Sequence, residues 1–192
     1  ALALDTDTSR PYIPLEGHPD TRASIQEFVL GKNHSAITSG TAATVQTIGG
    51  TGGVALVAEF LSRFANTNTV YVSDPTWDNH KGLFEKCGFR IESYPYWDPV
   101  SRSIPFDAMM ASLKTAEAGS IVVLQPVCHN PTGLDLSREQ KTQLTELMRV
   151  KEHIVVFDMA YQGFGSTTDE DANFVRSYSE TGLPCFIVNS FS

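Results

Sequence analysis

Three short runs of unbroken apolar residues constrain this chain more than anything else in it: Ser120-Ile-Val-Val-Leu124, Ile154-Val-Val-Phe157 and Cys185-Phe-Ile-Val188. Each has strand length, and none alternates apolar with polar, so each is predicted to be a buried strand covered on both faces. An earlier β-branched run, Thr69-Val-Tyr-Val-Ser73, stops at Asp74-Pro75, and Phe89 to Tyr96 reads as another strand. Helical patterns separate the strands. Asn79 to Lys86 ends at Gly88, and Phe106 to Ala116 follows. Ser137 with Gln140 makes a capping box for a helix running to about Lys151, and Asp171 to Tyr178 is helical again. The strands lie about 25–35 residues apart with a helix between, the length of a crossover linking parallel neighbours. The expected fold class is therefore α/β, a mostly parallel sheet with helices on both faces.

The first part of the chain fits the same scheme. Ser24 to Leu30 reads as a short helix closed by Gly31. A Thr/Ala/Val stretch, Thr41 to Thr47, leads into Gly49-Gly-Thr-Gly-Gly53, which is expected to precede a helix from Val54 to Phe64. In that helix Val54, Val57, Ala58, Leu61 and Ala65 share one face. With 192 residues, 41% hydrophobic and 19% charged, the chain suits one domain or one large piece of a bigger one. A net charge of −8 gives no reason to expect nucleic acid or an anionic membrane surface as a partner. No stretch approaches the ~18 apolar residues that span a bilayer. The opening Ala1-Leu-Ala-Leu-Asp5 lacks the features of a signal peptide and reads as a chain that starts in mid-protein. Cys87, Cys128 and Cys185 share no metal-ligand or CxxC spacing, so no metal is expected. Their apolar surroundings suggest buried free thiols in a reducing cytoplasm.

Polar residues gather at one kind of place. Asp74, Asn130, Asp158 and Ser190 each are expected just past the C-terminal end of an apolar strand, the edge where open parallel sheets bind ligands. Gly49-Gly-Thr-Gly-Gly53 can bring backbone N–H groups close to an anion, and Thr51 adds a hydroxyl. It is neither GxGxxG nor a P-loop, which makes a nucleotide the poorer choice. In His129-Asn-Pro-Thr-Gly133 the proline and glycine force a sharp turn, leaving Asn130 either a structural Asx-turn or a ligand group. His129 is expected to be structural. Asp158, directly after Ile-Val-Val-Phe, should be partly buried and so needs a cationic or hydrogen-bond-donating partner.

Five motifs occur in order: Gly49-Gly-Thr-Gly-Gly53, Asp74-Pro-Thr-Trp-Asp-Asn-His80, Cys128-His-Asn-Pro-Thr-Gly133, Asp158-Met-Ala-Tyr-Gln-Gly-Phe164 and Asn189-Ser-Phe-Ser192. Together they resemble the aspartate/aromatic amino acid aminotransferases of pyridoxal-phosphate (PLP) fold type I, from about Tyr12 to Ser192. The resemblance implies PLP as cofactor and a ping-pong transamination between an amino acid, aromatic or dicarboxylic, and a 2-oxo acid such as 2-oxoglutarate. It implies that Gly50, Thr51 and Ser190 cradle the phosphate and that Trp77 stacks on the pyridine ring. Asn130 and Tyr161 would bond the ring's phenolic oxygen, with Trp77 and Asn130 also meeting the substrate. Asp158 would pair with the pyridinium nitrogen and, with Tyr161, belong to the catalytic group. His80 would hold Asp158. Tyr12, within Pro11-Tyr-Ile-Pro14, would reach the phosphate in the neighbouring subunit of a homodimer with shared sites.

The family pattern continues Ser-Phe-Ser-Lys, and the Schiff-base lysine would follow Ser192. The expectation is thus a central part of the large PLP-binding domain, without the small domain. The full-length parent is expected to be a cytoplasmic enzyme. The alternatives are a truncated, non-catalytic chain and an aspartate-specific enzyme. The motif Asp74 to His80 and the ending Gly182-Leu-Pro to Ser192 look closer to the bacterial aromatic-type members.

Overall fold

The three apolar runs become adjacent strands of a parallel sheet. The structure, a computed structural model, describes residues 12–191. Its strands are β1 (Thr69–Asp74), β2 (Arg90–Pro95), β3 (Ile121–Leu124), β4 (Ile154–Met159) and β5 (Cys185–Asn189). They lie in the order β2-β1-β3-β4-β5, and every neighbouring pair is parallel. The helices are α1 (Pro19–Leu30), α2 (Ser35–Thr38), α3 (Gly49–Phe64), α4 (Asn79–Lys86), α5 (Phe106–Thr115), α6 (Arg138–Lys151) and α7 (Thr168–Ser179).

Two cores form, one on each face. Val155, Phe157 and Met159 of β4 pack with residues of α1, α5, α6 and α7. Val156 packs on the other face with Val54, Ala58 and Leu61 of α3 and Phe84 of α4. Side chains alternate along a strand, so Asp158 shares the face of Val156 and is delivered toward α3 and α4. After β2 the chain passes back across β1 to lay down β3. Strand order therefore reverses between β1 and β3, and the crevice beyond their C-terminal ends is the place where such sheets bind ligands.

Several expected boundaries move. α1 begins at Pro19 rather than Ser24, because proline suits the first helical turn and Asp20 complements its positive end. The glycine run does not precede α3 but is its first turn. α7 begins at Thr168, capped by the Thr167 hydroxyl, which accepts from Glu170 N at 3.1 Å. The short α2 was not expected; His34 Nδ1 caps it by accepting from Ala36 N at 3.1 Å. The capping box of α6 forms as read, with both Ser137 and Gln140 bonds present. Thr41 to Thr47 joins no strand; its carbonyls at Ala42 and Thr44 accept from the side chains of Gln26 and Arg22 on α1.

Two burial expectations are corrected. β5 is half-buried except at Val188, because among the described residues it pairs with β4 alone. All three cysteines are half-buried free thiols rather than buried ones. Cys185 lies on that edge strand, and partial burial pushes its thiol up to about 11. Cys87 lies beside the exposed Glu59 carboxylate at 3.7 Å. No helix among the described residues is long and apolar enough to cross a membrane.

Candidate active site

A sheet whose strands all run one way brings its C-terminal ends to one edge. Asp74 is the last residue of β1, and Asp158 lies within β4, one residue before its end. Both therefore belong to their strands rather than to the turns beyond, as the sequence had suggested. The ladder continues to the strand ends because polar side chains do not prevent backbone pairing. Leu124 pairs with Phe157, so Gln125, the first residue beyond β3, stands level with Asp158. Asp158 in turn pairs with Val188, so Ser190, the first residue beyond β5, follows two positions past that pair.

Asp158 is only 8% exposed. Its Oδ2 lies 3.0 Å from His80 Nε2, and His80 Nδ1 lies 2.7 Å from Thr76 Oγ1. His80 is fully buried in the first turn of α4. With Asp158 as a carboxylate, His80 donates from Nε2 and the Thr76 hydroxyl completes the chain. Asp158 Oδ1 has no donor among the described residues. The half-buried Trp77 ring meets His80 edge-on, with centroids 5.3 Å apart at 90°. Trp77, His80 and Asp158 thus form one contiguous group across α4 and β4.

The start of α3 closes a second side. A Cβ on Gly53 would lie 2.6 Å from Val188 Cγ1, so only glycine lets the helix come this close to β5. That approach sets Gly50 beside Ser190: a Cβ on Gly50 would meet Ser190 Cβ at 3.4 Å and its Oγ at 3.7 Å. Thr51 is exposed at the same turn. The N–H groups of Gly50 and Thr51 in the first helical turn, the Thr51 hydroxyl and the neighbouring Ser190 form a polar corner suited to an oxyanion.

The other two motifs supply loops. Asn130 is half-buried, and Gly133 N donates to His129 O at 2.6 Å to close the turn. Tyr161, 39% exposed, follows β4. Its loop is held by the buried Asp171 carboxylate, which accepts from the backbone N–H groups of Gly163, Gly165 and Ser166 at 2.7–3.0 Å. Tyr12 is 95% exposed. Pro11 beside it, the opening Ala1 to Asp5 and Ser192 lie outside the described residues.

Several supporting residues were not legible in the sequence. Thr76, four residues before His80, had the spacing of a helix-entry partner and could have been found. Gln125, Asp135 and Asp171 carried no local signal. His129 is structural, as read, but more elaborately so. Its Nε2 lies 2.8 Å from Ser73 Oγ and its Nδ1 2.9 Å from Thr132 Oγ1, while its ring stacks on Tyr96 at 3.8 Å. Asp135 accepts from the backbone N–H groups of both Cys128 and His129.

Burial, with the nearby His80 as a smaller cause, pushes His129 down to about 4. The unfolded chain holds that histidine near its ordinary value of about 6.5. Between these values the unfolded state binds a proton that the folded state refuses, so stability rises with pH across this window and is lost as pH falls through it. His153 shifts in the same direction through burial. We predict that His129→Asn flattens the rise in urea midpoint between about pH 4 and 6.5. An unchanged slope would show that His129 does not titrate as its burial requires.

Comparison with known proteins agrees with this geometry. The family model for aminotransferase class I and II matches residues 1–192. The chain is similar to the aromatic-amino-acid aminotransferase of Escherichia coli, with 41% identity over 181 residues, covering 94% of this chain and 46% of that protein. It is similar to the aspartate aminotransferase of Pseudomonas aeruginosa, with 38% identity over 189 residues, covering 98% and 48%. Among solved structures it resembles the aromatic-amino-acid aminotransferase of Burkholderia pseudomallei covalently bound to pyridoxal phosphate. There the TM-score is 0.94 and the identity 39%, covering 97% of this chain and 47% of that one. The chain spans just under half the length of each of these proteins, and with its whole length matched it belongs to the class I and II aminotransferases.

Proposed function

We propose that this sheet edge is the cofactor-holding part of a PLP-dependent aminotransferase site, and that residues 1–192 form the central part of its large domain. The full-length protein would move an amino group between an amino acid and a 2-oxo acid such as 2-oxoglutarate. The observation that carries the reading is Asp158, a nearly buried carboxylate with one oxygen held by His80 and the other without a donor among the described residues.

The residues present fit PLP. A carboxylate in this setting favours a protonated ring nitrogen as its second partner. Trp77 offers a flat aromatic surface next to the His80–Asp158 pair. Asn130 and Tyr161 supply an amide and a hydroxyl to hold a ring oxygen, and Trp77 and Asn130 also border the space for the substrate. Gly50, Thr51 and Ser190 supply donors for a phosphate. Bound there, PLP provides an electron sink for negative charge developing at the substrate α-carbon. Asp158 keeps the ring nitrogen protonated, and His80 keeps Asp158 in place and oriented. With PLP bound, Asp158 would act on rate more than on binding, because it would favour the charge distribution of the transition state over that of the bound ground state.

The aromatic and the aspartate relatives are almost equally similar, and we favour aromatic substrates on the motif Asp74 to His80. We further propose a cytoplasmic homodimer in which Tyr12, wholly exposed on its own subunit, reaches the neighbour's phosphate. Sedimentation of the full-length protein as a monomer would remove that arrangement. In the full-length protein, Asp158→Ala should lower turnover about 10²-fold or more while PLP binding falls less. Steady-state kinetics with tyrosine and with aspartate, beside a PLP titration, measure both. Near-native turnover would reduce Asp158 to a structural strand-end carboxylate.

A further inference from the structure

Gln125 is the first residue after β3, and its side chain turns back onto a residue five positions ahead. Gln125 Oε1 accepts from Asn130 N at 2.9 Å, and Gln125 Nε2 donates to Asn130 O at 3.0 Å. A side-chain amide carries the same donor and acceptor as a peptide group. Here it pairs with both backbone groups of one residue, as a neighbouring strand would. The orientation of the amide is unambiguous, because a backbone N–H only donates and a backbone carbonyl only accepts.

The pairing matters because of what lies between. Pro126 to His129 loop out from the sheet, and Cys128 adopts a left-handed φ of 50°. The loop's other ties, from Asp135 to the Cys128 and His129 N–H groups and from Gly133 N to His129 O, fix residues on either side of Asn130. None of them holds the Asn130 peptide groups themselves. Gln125 alone among the described residues holds both, and so sets the direction in which the Asn130 side chain leaves the backbone. The Asn130 side chain makes no hydrogen bond to the described residues, leaving its amide for a ligand. The register of β3 on β4 places Gln125, the first residue beyond β3, level with Asp158, so the clamp starts at the sheet edge.

We infer that Gln125 is a positioning residue: it aims the Asn130 amide at the cofactor by clamping the Asn130 backbone on both sides. The functional half of this inference rests on the PLP reading; the clamp itself does not. Two measurements separate them. In the cofactor-free full-length protein, amide hydrogen exchange at Asn130 should speed up about ten- to a hundredfold in Gln125→Met. Exchange in α6 should stay native. Gln125→Glu keeps the acceptor for Asn130 N but loses the donor to Asn130 O, and should fall between the two. Native protection at Asn130 in Gln125→Met would overturn the clamp.

The second measurement is PLP affinity in a double-mutant cycle of Gln125→Met with Asn130→Ala. If Gln125 acts through Asn130, each single change weakens PLP by about tenfold and the pair is no worse than Asn130→Ala alone. Additive losses would mean that Gln125 acts by another route, and would overturn its positioning role. If Asn130→Ala binds PLP as tightly as the native protein, the assignment of Asn130 to the cofactor fails, and the functional role of Gln125 fails with it. The exchange result would then still decide whether the clamp forms.

Discussion

Five strands running in one direction must deliver their last residues to one edge, and the chemistry of this molecule depends on that constraint. Parallel pairing requires a crossover after each strand, and the helices that make the crossovers cover both faces. The strand interiors are free to be wholly apolar: Val122, Val155 and Val156 are fully buried. The polar side chains that the chain needs for chemistry can then sit only where the strands stop. Asp74, Gln125, Asp158 and Ser190 come from four different strands and converge because the strands are parallel, although more than a hundred residues of chain separate the first from the last.

Within that frame one buried hydrogen bond, from His80 to Asp158, organises the site. Burying the Asp158 carboxylate costs free energy that the His80 donor offsets, so the contact adds little net stability. Its value lies in position. Alternation along β4 turns Asp158 toward α4, and α4 presents His80 with Thr76 behind it. The same principle recurs around the site. Asp171 gathers three backbone N–H groups under the Tyr161 loop, Asp135 gathers two under the Asn130 loop, and His129 ties that loop to Ser73 on β1. Asn130 and Tyr161 are thus carried on loops whose backbones are tied down by carboxylates, the exposed Asp135 and the buried Asp171, so little reorganisation of those loops remains when a ligand arrives.

Much of the fold was legible because its signals are local. The unbroken apolar runs gave β3 and β4, the capping box gave the start of α6, and Asn79 to Lys86 was found at its observed bounds. Glycine reads as a loop residue, which hides the start of α3, whereas here it answers a long-range demand: Val188 on β5 leaves no room for a Cβ at Gly53. β5 was read as fully buried because composition does not reveal that it is an edge. In the candidate site, the contact of His80 with Asp158 is the part that motif order made legible. Gln125 was not legible, since a glutamine after a strand is unremarkable until the chain folds back and offers it a backbone to pair with.

On the proposed function, Asp158, oriented by His80, holds a protonated ring nitrogen. Nitrogen-15 NMR of full-length protein loaded with ring-labelled PLP reads that proton directly. A pyridinium shift at neutral pH in the native protein, changing to that of a neutral pyridine in Asp158→Ala, is the predicted result. A protonated nitrogen in both proteins, or in neither, would contradict the account.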